Sequence, residues 1–193
     1  KNSKIIDEAV ITSDSKKMLY EGEKWGFDHG ILRPDYLSTD TASSLDTWIH
    51  AWIEYEKVSK SKFQYSVLLQ PTSPLRKESE LEEVCKNFEE NKYEIITTIS
   101  KVPGHFKPEK LISQSANNFD FYLKNIRCND RNKLPPYFYR NGNFYMATRK
   151  QIINNKILLE GNYGFHISKS FSVNIDDEID LIIANKIIKD NQK

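Results

Sequence analysis

The chain has 193 residues, a formal net charge of +1, and 38% hydrophobic, 28% charged and 12% aromatic residues. That length suits one domain with a sizeable core, the aromatic share argues against disorder, and the near-zero charge gives no general basic field for nucleic acid. No stretch approaches the roughly 20 apolar residues of a membrane span, and no apolar opening run resembles a signal peptide. Two cysteines, Cys85 and Cys128, make no disulfide framework and fit a reducing compartment, so the expected location is the cytoplasm.

In chain order, residues 9–12 read as a strand. Ser13, Asp14 and Ser15 can each cap a helix over 16–25, with Gly26 fitting its C-cap. Asp14 is either that cap or a functional residue at the sheet edge that also holds Gln70. Residues 30–40 look like a loop around Arg33-Pro34. Ser38-Thr39-Asp40-Thr41 then offers several caps for a helix over 42–57, where Leu45, Trp48, Ile49, Trp52 and Ile53 repeat at three and four residues.

The stretch 65–76 organises the rest. Val67, Leu68 and Leu69 are consecutive apolar residues, as in a strand covered on both faces. Pro71 and Pro74 then fix two φ angles and hold the residues before them extended or in a turn. Among them sit Gln70, Thr72 and Ser73, each able to donate and accept. Ligands of open α/β sheets bind beyond the strand carboxyl ends; the alternative is a polar loop with two proline stops. A helix from Lys77 to residue 90 buries Leu81, Val84, Cys85 and Phe88, which makes Cys85 a core residue rather than a nucleophile. A β-branched strand follows over 94–99. This βαβ order predicts a mostly parallel sheet with helices on both faces.

Residues 101–136 carry no sustained helical stripe. Phe119, Phe121 and Leu123 alternate with Asp120 and Tyr122, an antiparallel strand pattern, and Arg127, Arg131 and Lys133 follow. So long a segment is a functional excursion or an interaction arm, with basic side chains suited to phosphate or carboxylate; the other reading is a solvated loop. Tyr139-Arg140-Asn141-Gly142 reads as a turn, 143–148 as a strand, 149–155 as a short helix, 164–167 and 172–175 as strands, and 178–189 as a final helix.

Cys-x-x-Cys, His-Glu-x-x-His, Gly-x-Ser-x-Gly, Walker A and Gly-x-Gly-x-x-Gly patterns are all absent from the sequence. Asp176, Asp177 and Asp180 close a strand and open a helix. They either hold a hard cation such as magnesium or cap the helix.

Several of these stretches, in order, resemble the cytidylyltransferase family that activates acidic nine- and eight-carbon sugars with CTP, and most closely its acylneuraminate branch. They are Val10-Ile11-Thr12-Ser13-Asp14, Arg33-Pro34 with Thr39-Asp40-Thr41-Ala42-Ser43-Ser44-Leu45-Asp46, and Leu68-Leu69-Gln70-Pro71-Thr72-Ser73-Pro74-Leu75-Arg76. Arg131-Asn132-Lys133-Leu134-Pro135, Asn141-Gly142-Asn143-Phe144-Tyr145 and Val173-Asn174-Ile175-Asp176 complete the series. The resemblance implies a three-layer, Rossmann-like α/β fold of the nucleotide-diphospho-sugar transferase kind. It forms one domain over 1–193, with a dimerisation arm at 103–136 and a homodimeric assembly.

The resemblance also implies the reaction. The anomeric hydroxyl of the sugar acid attacks the α-phosphorus of CTP, pyrophosphate leaves, and a CMP-sugar forms for surface glycan synthesis, with Mg2+ neutralising the phosphates. Gln70, Arg131 and Asp176 take the catalytic roles. Arg33 lies in the nucleotide loop, and Asp40, Thr72, Ser73 and Asn141 are further substrate contacts. Arg127 and Arg131 lie in the arm that crosses between subunits, and Asp176 is a metal ligand. Asn174 stands where the family has its other metal aspartate, which predicts weaker metal binding.

The family's opening strand and its glycine-, arginine- and lysine-rich phosphate loop have no counterpart in the sequence. These 193 residues alone are therefore expected to expose apolar surface and not to turn over CTP. Legionaminic or pseudaminic acid is the alternative substrate, and a non-catalytic dimeric binding protein on this fold is the alternative class.

Overall fold

The structure, a computed structural model, describes residues 5–123, 135–155, 161–169 and 172–191. Its elements are β1 (Val10–Ser13), α1 (Lys16–Lys24), β2 (His29–Leu32), α2 (Ser44–Ser59), β3 (Tyr65–Leu68), α3 (Glu78–Glu90), β4 (Ile95–Lys101), β5 (Ile112–Ser115), β6 (Asn118–Phe121), β7 (Phe138–Thr148), β8 (Tyr163–Ile167) and α4 (Glu178–Asn191).

Successive strand residues face opposite sides of a sheet, and this sets the layering. On β4, Ile95 packs with Trp48, Ile49 and Trp52 of α2, and with Ala147 of β7. Its neighbour Ile96 packs with Leu81, Val84 and Phe88 of α3, and with Met146 of β7. Helices therefore cover both faces of the sheet. Each large apolar side chain removed from water contributes about 1.5–3 kcal/mol, so the two clusters hold this sandwich together. The predicted stripe on α2 is its buried face, and the Trp48 indole also donates to Ser66 Oγ at 2.9 Å.

The central sheet runs β3-β7-β4-β8. β7 is antiparallel to both β3 and β4, and β8 is parallel to β4. β3 and β4 thus point the same way, as the βαβ order predicts, but β7 lies between them and makes the sheet mixed. β1 and β2 form a separate parallel pair, packed beneath α1 and against α2.

Several local expectations are corrected. Residues 30–32, expected in a loop over 30–40, belong to strand β2. Gly30 hid it, because glycine weakens strand propensity. It is there for close approach, since a β-carbon on it would lie 3.3 Å from Leu19 Cβ. β3 is half-buried rather than covered, and Leu69 is 45% exposed; among the described residues β3 pairs along one edge only. The cap of α2 is Ser43, which accepts from Leu45 N and Asp46 N at 3.2 and 3.3 Å, and Asp40 is exposed. Residues 172–175 form no ladder; Ile175 N instead donates to Thr72 O at 2.8 Å.

The expected turn at 139–142 is a wide bulge inside β7. Thr97 pairs with Tyr145 and Ile99 with Arg140, so Thr98 alone faces residues 141–144. Gly142 allows it with φ +77. Side chains satisfy the displaced backbone: Asn141 Oδ1 accepts from Thr98 Oγ1 and Asn143 N, at 2.6 and 3.1 Å, and Thr98 Oγ1 accepts from Phe144 N at 3.0 Å.

Candidate active site

Just past the carboxyl end of β3, the chain turns at Gln70 and runs through two prolines to α3. Ser73 N donates to Gln70 O at 3.2 Å. The Arg76 guanidinium reaches back to the same carbonyl oxygen. The turn is therefore closed on itself, and its middle is tied by Thr72 O to Ile175 N.

The bulge of β7 delivers Gly142 against this turn. A β-carbon on Gly142 would meet Ser73 Oγ at 2.9 Å, Gln70 Oε1 at 3.1 Å and Asn174 Oδ1 at 3.8 Å. Three residues named from sequence, 104 positions apart at the extremes (174 − 70), thus converge on one point. Ser73 has no exposed surface, yet its hydroxyl has no hydrogen-bond partner. Buried polar groups are ordinarily paired, so Ser73, packed against Gly142, is an exception at the centre of this cluster.

Asn141 is 2% exposed, and its amide is spent inside the protein, accepting from Thr98 and donating to Ser100 Oγ at 2.9 Å. It shapes the bulge from behind. Its backbone oxygen accepts from Ser172 Oγ at 3.2 Å, which ties the bulge to the segment bearing Asn174.

The acidic cluster divides into two uses. Asp177 Oδ1 accepts from Asp180 N at 2.9 Å, while Asp180 Oδ2 accepts from Asp177 N at 3.3 Å and Asp176 N at 3.1 Å. That reciprocal pair is a capping box for α4. The Asp176 carboxylate is left exposed, and among the described residues it is held by the Asn174 amide, which donates to both its oxygens at 2.8 and 2.7 Å. Among the described residues no cluster of three or more His, Cys, Asp or Glu side chains is arranged to hold a metal.

Arg33 and Asp40 lie on the β1–β2 side. Arg33 continues the β1 ladder through its N–H to Ser13 O at 2.8 Å. Its Nη2 lies 3.7 Å from Asp14 Oδ1, and its buried Nε has no partner. Asp14 therefore faces Arg33, while Ser13 Oγ takes the N–H of Ser15 at 3.1 Å. A pocket of about 570 Å³ opens at the start of α2, lined by Tyr36, Thr39, Thr41, Ser43, Asp46 and His50 among others, and by no residue of the 70–76 turn. Arg127 and Arg131 lie outside the described residues. Cys85 is half-buried, and its burial pushes the thiol up to about 11, so it is no nucleophile.

Two contributors were not singled out from sequence. Gly142 had its signal in the Asn-Gly pair. Arg76 had its signal as the last residue of the Leu68–Arg76 stretch, but an arginine before a helix reads equally well as a solvated side chain.

No family model matches the chain. The N-acylneuraminate cytidylyltransferase of Escherichia coli O18:K1:H7 is 27% identical over 187 residues, 94% of this chain and 42% of that protein. The CMP-N,N'-diacetyllegionaminic acid synthase of Legionella pneumophila subsp. pneumophila is 30% identical over 205 residues, 99% of this chain and 82% of that protein. This chain thus spans less than half of the Escherichia coli relative and most of the Legionella one. Among solved structures, CMP:2-keto-3-deoxy-manno-octonic acid synthetase complexed with CTP superposes with a TM-score of 0.66 at 12% identity, over 98% of this chain and 84% of that one. The fold is that of the nucleotide-diphospho-sugar transferases, with the closed turn beyond β3 where such sheets take their ligands. The chain belongs to the acylneuraminate cytidylyltransferase family of nucleotidyltransferases.

Proposed function

We propose that the protein transfers CMP from CTP to the anomeric hydroxyl of N-acylneuraminate or a related nonulosonic acid and releases pyrophosphate. The observation that carries this reading is the meeting of Gln70, Ser73 and Asn174 at Gly142, beyond a central strand, in a chain of this family. In the reaction the sugar hydroxyl gives up its proton to solvent as its oxygen bonds to the α-phosphorus, the bond to the bridging oxygen breaks, and pyrophosphate leaves with that electron pair. Such a step needs chiefly positioning and charge stabilisation.

Gln70 and Ser73 orient the sugar: an amide that accepts and donates stands beside a hydroxyl with no partner of its own. Thr72 fixes the turn through its backbone. Arg33, with its unpartnered Nε, and Asp40 face the nucleotide. Asn141 holds the bulge in place. Arg127 and Arg131 are the proposed partners of the sugar carboxylate in the neighbouring subunit of a homodimer. The β5–β6 hairpin supports that assembly, for it exposes Ile112, Phe119, Phe121 and Tyr122 by 58–70%. We place the protein in the cytoplasm, where CTP is made.

Magnesium, when bound, neutralises the phosphates and the leaving group. Asp176 and Asn174 fit it as hard oxygen donors, one charged and one neutral, for a cation that keeps waters and phosphates as its other ligands. The Asn174 amide turns its NH2 toward Asp176, so ligation by both residues requires that amide to turn over.

The Legionella relative favours a second substrate within the same reaction, a legionaminic acid. To test both, the chain is assayed for CMP-sugar formation with CTP, magnesium and each nonulosonic acid. A CMP-sugar product, or binding of at least one CMP-nonulosonate, is expected. The absence of both product and binding overturns the reading.

A further inference from the structure

Arg76 is a cation tucked into the turn that carries Gln70. Its Nη2 donates to the Gln70 carbonyl oxygen, so the guanidinium spans the turn from its last residue to its first, across Pro71 and Pro74. The same oxygen accepts from Ser73 N at 3.2 Å. Two donors on one carbonyl fix the peptide plane after Gln70, and with it the direction in which the Gln70 side chain leaves the backbone. That side chain ends beside Ser73 Oγ at Gly142.

No carboxylate among the described residues answers its charge, and its Nε is buried without a partner. Burial pushes the guanidinium down to about 10, still well above neutrality, so the group stays charged in the cell. A half-buried arginine is ordinarily paired with a carboxylate or phosphate, because desolvating a lone charge is costly. Here the turn offers only a backbone carbonyl, so the positive charge stays within the turn that carries Gln70.

We infer that Arg76 is a positioning residue for the sugar half of the site: its guanidinium latches the 70–76 turn so that Gln70 and Ser73 face one ligand, and its unpaired charge favours an acidic sugar there. This rests on the proposed function. Arg76 touches no substrate in this account; it acts through the Gln70 peptide and through its field. Charge and latch are separable. Lysine keeps the charge with a single-point donor, glutamine keeps a neutral donor, and methionine keeps only the apolar stem.

The test compares the affinities of the full chain and of Arg76→Lys, Arg76→Gln and Arg76→Met for CMP and for CMP-N-acylneuraminate by calorimetry, with circular dichroism to confirm folding. A merely structural role weakens both ligands together. The latch predicts CMP affinity unchanged in all variants. It also predicts CMP-N-acylneuraminate affinity reduced about tenfold in Arg76→Met, with partial recovery in Arg76→Lys and in Arg76→Gln. Equal losses for CMP and the CMP-sugar, or an Arg76→Met protein that binds the CMP-sugar like the wild type, overturn the inference while leaving the proposed function standing. A wild-type chain that binds the CMP-sugar no better than CMP overturns the proposed function, and the latch with it. Should Arg76→Met fail to fold, Arg76→Gln decides alone: unchanged CMP-sugar affinity there removes the role of the charge and overturns the inference.

Discussion

The Ser73 hydroxyl lies 2.9 Å from the point that a β-carbon on Gly142 would occupy. Ser73 is fully buried and cannot swing away freely, and Gln70 Oε1 stands 3.1 Å from the same point. Glycine is therefore required twice, for space and for φ +77. Gly142→Ala is expected to cost about 1–2 kcal/mol of stability, from the left-handed backbone, and to weaken CMP-sugar binding at least about tenfold, from the displaced side chains. Thermal unfolding and calorimetric titration check the two effects separately. An alanine variant with wild-type affinity contradicts the arrangement.

The bond between α2 and the end of β7 sets an acid limit on stability. Glu56, 2% exposed at its side chain, accepts from Arg149 Nε at 2.7 Å and Nη2 at 2.9 Å, and from Lys62 Nζ at 2.8 Å. Hydrogen bonds from Arg149, opposed by burial and reinforced by Lys62, hold its carboxyl down at about 2, against an ordinary 4.5. A carboxylate depressed on folding adds stability that is fully present above its unfolded value and is lost as pH falls through the folded one. Urea unfolding at a series of pH values should therefore show a loss between about 4.5 and about 2 that Glu56→Gln lacks. At pH 7, Arg149→Ala should destabilise by about 2 kcal/mol, because it removes the two-point partner of a buried carboxylate and leaves it to Lys62.

Much of this architecture was legible because it rests on local periodicity. The α2 stripe at Leu45, Trp48, Ile49, Trp52 and Ile53, the α3 face at Leu81, Val84 and Phe88, and the proline-braced exit after β3 all stand where the pattern placed them. What was not legible depends on partners distant in sequence. The insertion of β7 between β3 and β4 follows from packing. The 139–142 segment looked like a turn because a bulge and a turn use the same Asn-Gly chemistry. The half-exposure of β3 depends on which strands flank it. At the site, Gln70, Ser73 and Asn174 were named from sequence, but their meeting point at Gly142 and the closure of the turn by Arg76 are tertiary facts with no local signature.

Asn174 gives the metal prediction its sign. It offers a neutral amide oxygen where a carboxylate would add charge. Asn174→Asp is expected to tighten magnesium binding, read by calorimetry in the presence of a CTP analogue. An unchanged affinity removes Asn174 from the metal site.

The acidic run at the start of α4 predicts a separation of roles. Asp177→Ala breaks the capping box and should cost about 1 kcal/mol of stability, with magnesium affinity unchanged. Asp176→Asn should do the reverse. Thermal melts and magnesium titrations of both variants check this, and a magnesium defect in Asp177→Ala contradicts the division.

The most direct test of the central claim, that the 70–76 turn, Gly142 and the 174–176 segment form the sugar-binding half of a cytidylyl transfer site, is an NMR titration of the labelled chain with CMP-N-acylneuraminate, with CMP as the control. The account predicts shifts at the Gln70, Ser73, Gly142 and Asn174 signals that CMP alone does not produce and that Gln70→Ala abolishes without unfolding the protein. Shifts identical for CMP and the CMP-sugar, or confined to residues outside this cluster, contradict it.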